Sequence, residues 1–131
     1  MLQVLSLHDN NLKRLPNDLC SLTKLTDLNI CNNRLRELPK DIGKLVRLVN
    51  LDVQGNFLYE LPPSIVDLTR IECVLLSRNS LCALPDGFGG NAPSLRALAL
   101  ANNSLQHLPV SLKRATRLQV GLHFNHRGYA D

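Results

Sequence analysis

Tryptophan is absent and aromatic residues make up only 4% of the chain, so any core must be aliphatic. No apolar run approaches ~18 residues, which excludes a membrane-spanning helix. The opening Met1-Leu2-Gln3-Val4 lacks the basic region and long apolar stretch of a secretory signal. Four cysteines are present, Cys20, Cys31, Cys73 and Cys82, but no Cys-x-x-Cys pair, so a zinc cluster has no support. Neither sign of charge dominates. The 15 Lys and Arg face 11 Asp and Glu, a net +4 that is too mild to announce a nucleic-acid partner. What the 131 residues do have is aliphatic content: 44% are apolar, enough for one core or a short repeat array.

Self-similarity organises that content. The segments 2–24, 25–47, 48–70, 71–94 and 95–117 follow one template, L-x-x-L-x-L-x-x-N-x-L-x-x-L-P-x-x-L-x-x-L-x-x. Its period is 23, lengthened to 24 in the fourth copy. The ninth column is Asn10, Asn33, Asn56, Asn79 and Asn103, and the fifteenth is Pro16, Pro39, Pro62, Pro85 and Pro109. In L-x-x-L-x-L, residues two apart point to one face of a short strand, and their neighbours point to the other. No single copy can bury its apolar face alone, so the copies must stack, with parallel strands joined by right-handed crossovers. The Asn column then has a physical purpose. Backbone groups lose their ladder partners where the chain turns inward after each strand, and a buried amide can satisfy them. The Pro column suits an extended return segment.

These columns resemble those of leucine-rich-repeat proteins, of the 23-residue typical subtype that carries the L-P motif. The run L-P-x-x-[LI]-x-x-L is similar to that of the intracellular Ras-suppressor-like and Scribble/Erbin-like scaffolds. The resemblance covers residues 2–117 and implies an α/β fold. That fold is a right-handed superhelix with a concave parallel sheet and an irregular, extended or short-helical convex side. It also implies one domain spanning 1–131, with a partial sixth repeat and tail at 118–131.

Two stretches depart from the template. After Pro85, Asp86 to Ser94 has one extra residue and extra glycines, with Ala92 taking the Leu column. No Lys-Ser/Thr follows, so a convex-side insertion is a better reading than a phosphate loop. From Leu118 to Asn125 the register fits a sixth strand with one residue deleted, ahead of a polar tail. Nothing in this sequence precedes the first repeat, so its strand edge is expected to need a cap, a longer array or self-association.

Function is expected on the outward-facing strand positions, which vary while the frame stays constant. They include His8, Asp9, Asp27, Asn29, Asp52, Gln54, Glu72, Leu75, Arg78 and Arg96. This face is acidic through the first three repeats and mixed afterwards, which suits a basic or mixed-charge protein segment. Phe57 and Tyr59, just past the third strand, are expected as rim anchors. Lys24, Arg47, Arg70 and Arg117 end their repeats and stack into a basic ridge that acidic protein or anionic lipid could use. Nucleic acid is disfavoured, because there are few aromatics for stacking and no groove-reading helix.

Catalysis finds no constellation. His8 and Cys31 are a repeat apart with no third group to orient the His. The pair His123 and His126 lies in the tail without a further ligand at metal spacing. The glycosylation-like Asn102-Asn103-Ser104 sits on the Asn column itself. The expected protein is therefore a non-catalytic, cytoplasmic interaction module without cofactor or metal. Two alternatives are a recognition segment of a larger ubiquitin ligase, kinase or receptor, and an anionic-membrane adaptor. Cys31 and Cys73 face one side two repeats apart, roughly 10 Å by strand spacing. That exceeds disulfide reach, so all four cysteines are expected to be free thiols.

Overall fold

The computed structural model describes residues 1–118. The sixth strand and tail expected after Leu118, and the pair His123 and His126, lie outside the described residues. Five three-residue strands form one parallel sheet in chain order: β1 (Val4–Ser6), β2 (Asp27–Asn29), β3 (Asn50–Asp52), β4 (Cys73–Leu75) and β5 (Ala97–Ala99). The register follows the repeat without slip. Leu5 pairs with Leu28, Leu28 with Leu51, Leu51 with Val74 and Val74 with Leu98. The extra residue of the fourth repeat is absorbed between Pro85 and Leu95, so β4 and β5 still pair column for column.

Alternation decides which face is buried. Leu28, Ile30, Leu51, Val53, Val74, Leu76, Leu98 and Leu100 point inward and are essentially inaccessible. The return segments close the core with Leu35, Leu38, Ile42, Leu45, Leu58, Leu61, Ile65 and Leu68. In the fourth repeat Phe88 and Ala92 take the last two core columns, a larger and a smaller side chain together, and both are buried as expected for Ala92. Gly89, in the left-handed region (φ 81), lies where a Cβ would stand 2.7 Å from Leu112. The first repeat has a neighbour on one side only among the described residues. Leu5, Leu7 and Leu12 are half-buried there, and Leu2 and Val4 are exposed.

The convex side is more regular than an extended reading of the Pro column implies. Pro16, Pro62 and Pro109 are extended, with ψ near 143, and each opens a single turn of 3-10 helix. These turns span Asn17–Ser21, Pro63–Asp67 and Val110–Arg114, with a shorter one at Ile42–Lys44. Proline fixes φ and lacks a donor, which suits the residue ahead of a helical turn, whose first N–H groups have no partner inside it. Side chains then stitch turn to turn. Asn17 Nδ2 donates to Asp41 Oδ2 at 2.8 Å, and the Asp41 N–H donates back to Asn17 Oδ1. Ser64 Oγ donates to the Lys40 carbonyl and accepts the Gly43 N–H, and Ser111 Oγ donates to the Phe88 carbonyl. Gly43 allows this approach, since a Cβ there would collide with the Ser64 carbonyl.

Candidate concave interaction surface

The Asn column forms the ladder that its chemistry predicts. Asn33 Nδ2 donates to the carbonyls of Leu7, Ile30 and Cys31, and its Oδ1 accepts the Leu12 N–H. Asn56 repeats this with Ile30, Val53, Gln54 and the Leu35 N–H. Asn79 and Asn103 continue it, taking the N–H groups of Leu58 and Leu81. Asn10, exposed at the end, donates to Leu7 and His8. The amides of Asn33, Asn56, Asn79 and Asn103 therefore each clamp two successive repeats, whereas Asn10 bonds only within its own.

On the concave face the first three repeats present carboxylates held by short bonds. Asp9 accepts from Asn32 Nδ2 at 2.9 Å and lies 2.8 Å from His8 Nδ1. These hydrogen bonds, His8 first, hold its carboxyl below the usual carboxylate value. Asp27 accepts from the Thr26 hydroxyl at 2.8 Å and from Asn50 Nδ2 at 3.0 Å. Asp52 Oδ1 takes the Gln54 N–H at 3.1 Å, and Asn29 does the same for Cys31 one repeat earlier. These contacts orient the acids and leave lone pairs free for a ligand. Repeats four and five differ. Glu72 is paired with Arg96 at 3.4 Å, and Leu75, Ala97, Ala99 and Ala101 form a half-buried, nearly apolar stretch. Ser77, one of the outward strand positions, is buried and accepts the Ala101 N–H. Burial pushes the thiols of Cys31 and Cys73 up, the acids around Cys31 adding to it.

One column carries a constraint that the sequence pattern did not announce. Asp9, Asn32, Arg78 and Asn102 all have φ near +57, and Gly55 stands in the same column at +68. This is the left-handed region that Gly, Asn and Asp enter most readily. The signal was present in the composition of the column, Asp-Asn-Gly-Arg-Asn. Gly55 also leaves a notch, since a Cβ there would lie 2.4 Å from Asn32 Oδ1. Arg78 reaches across the notch to within 3.5 Å of that oxygen, two repeats away. Asn32 therefore has a structural role, bonded to Asp9 and met by Arg78 over the Gly55 notch.

The remaining expected residues fall in separate places. Phe57 and Tyr59 are exposed, and they line different recesses. Tyr59 sits with Pro62, Pro63, Cys82 and Pro85 in a recess of ≈ 650 Å³. Lys24, Arg47 and Arg70 lie in the tight turns ahead of β2, β3 and β4, Ser94 interrupts the column ahead of β5, and Arg117 lies in the turn that ends the fifth repeat. A denser cationic group was missed because it spans three columns and only two repeats. It comprises Lys13, Arg14, Arg34 and Arg36, on the edge where the chain leaves the strands. Among the described residues, no group of three or more His, Cys, Asp or Glu could hold a metal ion.

The geometry has counterparts of known structure. A leucine-rich-repeat protein of Leptospira interrogans superposes with a TM-score of 0.87 at 31% identity, over 95% of this chain and 32% of that one. The ectodomain of the Arabidopsis thaliana membrane receptor kinase GASSHO1/SCHENGEN3, solved with CASPARIAN STRIP INTEGRITY FACTOR 2, gives 0.81 at 28% identity, over 95% and 15%. A TDR receptor gives 0.82 at 25% identity, over 94% and 23%. This chain thus spans about a third or less of the length of each. None of the curated protein sequences matches significantly. The model of the leucine-rich repeat region matches residues 1–127. Repeat register, Asn ladder and parallel sheet converge with that match: the chain belongs to the leucine-rich-repeat family.

Proposed function

We propose that the chain is a non-catalytic protein-interaction module whose partner docks on the concave sheet. The observation that carries this reading is the division of that sheet. Oriented carboxylates at Asp9, Asp27 and Asp52, none paired with a Lys or Arg among the described residues, adjoin an apolar stretch at Leu75, Ala97, Ala99 and Ala101. A partner segment with basic residues followed by an apolar side chain complements both halves. Its role is that of a cytoplasmic scaffold or adaptor in signalling. The likeness of the L-P repeats to Ras-suppressor-like and Scribble/Erbin-like scaffolds supports this, and the four free thiols suit a reducing compartment.

A second reading is favoured by coverage: the chain aligns with 15–32% of each longer relative, so it also suits the recognition segment of a larger receptor or enzyme. The receptor kinase ectodomain was solved in complex with a partner, which supports recognition as the shared role. The outer edge of β1, flanked by exposed Leu2 and Val4, accepts another parallel strand, from a preceding repeat or a second copy.

The test is affinity capture from cytosol with quantitative mass spectrometry. Asp52→Asn keeps the acceptor for the Gln54 N–H and removes only the charge. Partners of the concave face are depleted with Asp52→Asn and retained with Lys113→Glu on the convex 3-10 turn. The reverse pattern, or equal recovery with both, rejects the concave site.

A further inference from the structure

We propose that the edge following the strands of repeats one and two is a second binding surface, which takes an acidic segment of a partner protein. Lys13, Arg14, Arg34 and Arg36 line a recess of ≈ 580 Å³ with Glu37 and Phe57. All six are exposed. None of the four cations has an ion pair or a side-chain hydrogen bond among the described residues. Lys44, Arg96 and Arg78 do have partners, in Asp41, Glu72 and Asn32, and Lys24, Arg47 and Arg70 are unpartnered too but stand one to a repeat, so what distinguishes the four is their gathering round one recess. Four like charges gathered over two repeats, ~4.8 Å apart by strand spacing, repel one another. An incoming anion relieves that repulsion. Phe57, 56% exposed at the far end of the recess, supplies an apolar contact that a purely electrostatic surface lacks.

The surroundings decide which anion fits. Asp9, Asp27 and Asp52 lie on the adjoining concave face, and Glu37 and Glu60 lie on the same edge. A polynucleotide or an anionic membrane is negative over its whole length or plane and would meet those acids. A short peptide places its carboxylates locally. In an extended segment, alternate residues fall on one side about 6.5 Å apart, so two or three acids can reach both repeats while an apolar residue meets Phe57. The guanidinium groups of Arg14, Arg34 and Arg36 bind carboxylates in two-point fashion.

The experiment uses the whole chain and a fluorescein-labelled decapeptide of alternating glutamates around a central phenylalanine, read by anisotropy. Wild type binds, and its affinity falls as salt rises. The double variant Arg34→Glu/Arg36→Glu loses about tenfold or more. Lys13→Glu/Arg14→Glu behaves likewise and guards against a local folding defect in either variant. Lys113→Glu/Arg114→Glu makes the same change in net charge elsewhere and binds as wild type. Phe57→Ala weakens binding without changing its salt dependence, and Asp52→Asn leaves it unaltered, which separates this surface from the concave one. Equal losses in all the charge-reversed variants overturn the proposal. So does tighter, Arg34- and Arg36-dependent binding of a single-stranded RNA decamer or of phosphatidylserine vesicles.

Discussion

Removing the central amide of the Asn ladder has a cost that can be worked out bond by bond. Asn56 is 4% exposed and makes four hydrogen bonds, so Asn56→Ala looks as though it should strip four buried groups. Three of them keep another partner. The Ile30 carbonyl retains the Asn33 amide at 3.1 Å, the Val53 carbonyl retains the Asn79 amide at 3.0 Å, and the Gln54 carbonyl retains the Asn32 N–H at 2.8 Å. Only the Leu35 N–H, in a residue with no solvent exposure, loses its acceptor. One orphaned buried donor costs about 1–3 kcal/mol, and that is the expected loss. In the same column, Asn10→Ala should cost under about 0.5 kcal/mol, because Asn10 is exposed and the Leu7 carbonyl keeps Asn33 at 2.9 Å. Urea titration of both variants measures the difference, and melting temperature should follow at roughly 3–5 °C per kcal/mol for a chain of this size. Asn56→Asp sharpens the test. It preserves an acceptor for Leu35 but sets a carboxylate against three carbonyls, so at neutral pH it should destabilise more than alanine does. Equal losses at Asn10 and Asn56, or an aspartate variant as stable as wild type, would refute the clamp.

Three further expectations follow from the geometry. Asn32→Ala should cost about 1–2 kcal/mol, because at φ 57 alanine lacks the short polar side chain by which asparagine tolerates the left-handed region and loses the bond to Asp9, whereas Asn32→Gly should be milder. Gly55→Ala should be worse still through its clash with Asn32 Oδ1, and a double-mutant cycle by denaturant should show partial relief in the Asn32→Gly background. The Asn17 hydrogen bond, then Lys44 and Lys40, holds the Asp41 carboxyl below its ordinary value. A group depressed in the folded state adds stability above its unfolded pKa, and that stability is lost as pH falls through the folded one. Asn17→Ala should therefore raise the Asp41 titration toward the ordinary carboxylate range and flatten the acid side of the stability profile, while Asp9 stays unchanged by NMR. Timed alkylation of native protein should label exposed Cys82 first and Cys20, 2% exposed and with its thiol pushed up by burial, last. Uniform labelling would mean that the fourth-repeat edge or the first-repeat core is not as described.

Much of the molecule was legible from one dimension because its repeats stack in register. Residue n meets residue n + 23, so a column of constant chemistry states its own environment. Five asparagines in one column announce a ladder, and paired leucines two apart announce which face of each strand is buried. The strands, the core and the concave acids needed no more than that. Variable columns carry no such statement, because their environment depends on where each side chain projects and what its neighbour in the next repeat happens to be. The Asn17–Asp41 stitch joins dissimilar residues from adjacent columns, 24 positions apart. The left-handed column mixes aspartate, asparagine, glycine and arginine, and its backbone conformation is imposed by the inward turn that the Asn ladder anchors. Lys13 and Arg14 become neighbours of Arg34, Arg36 and Phe57 only when the turn after each strand swings these positions onto one edge. Periodicity thus determined the scaffold, because burial repeats with the chain. Tertiary structure alone decided which unlike side chains share a surface.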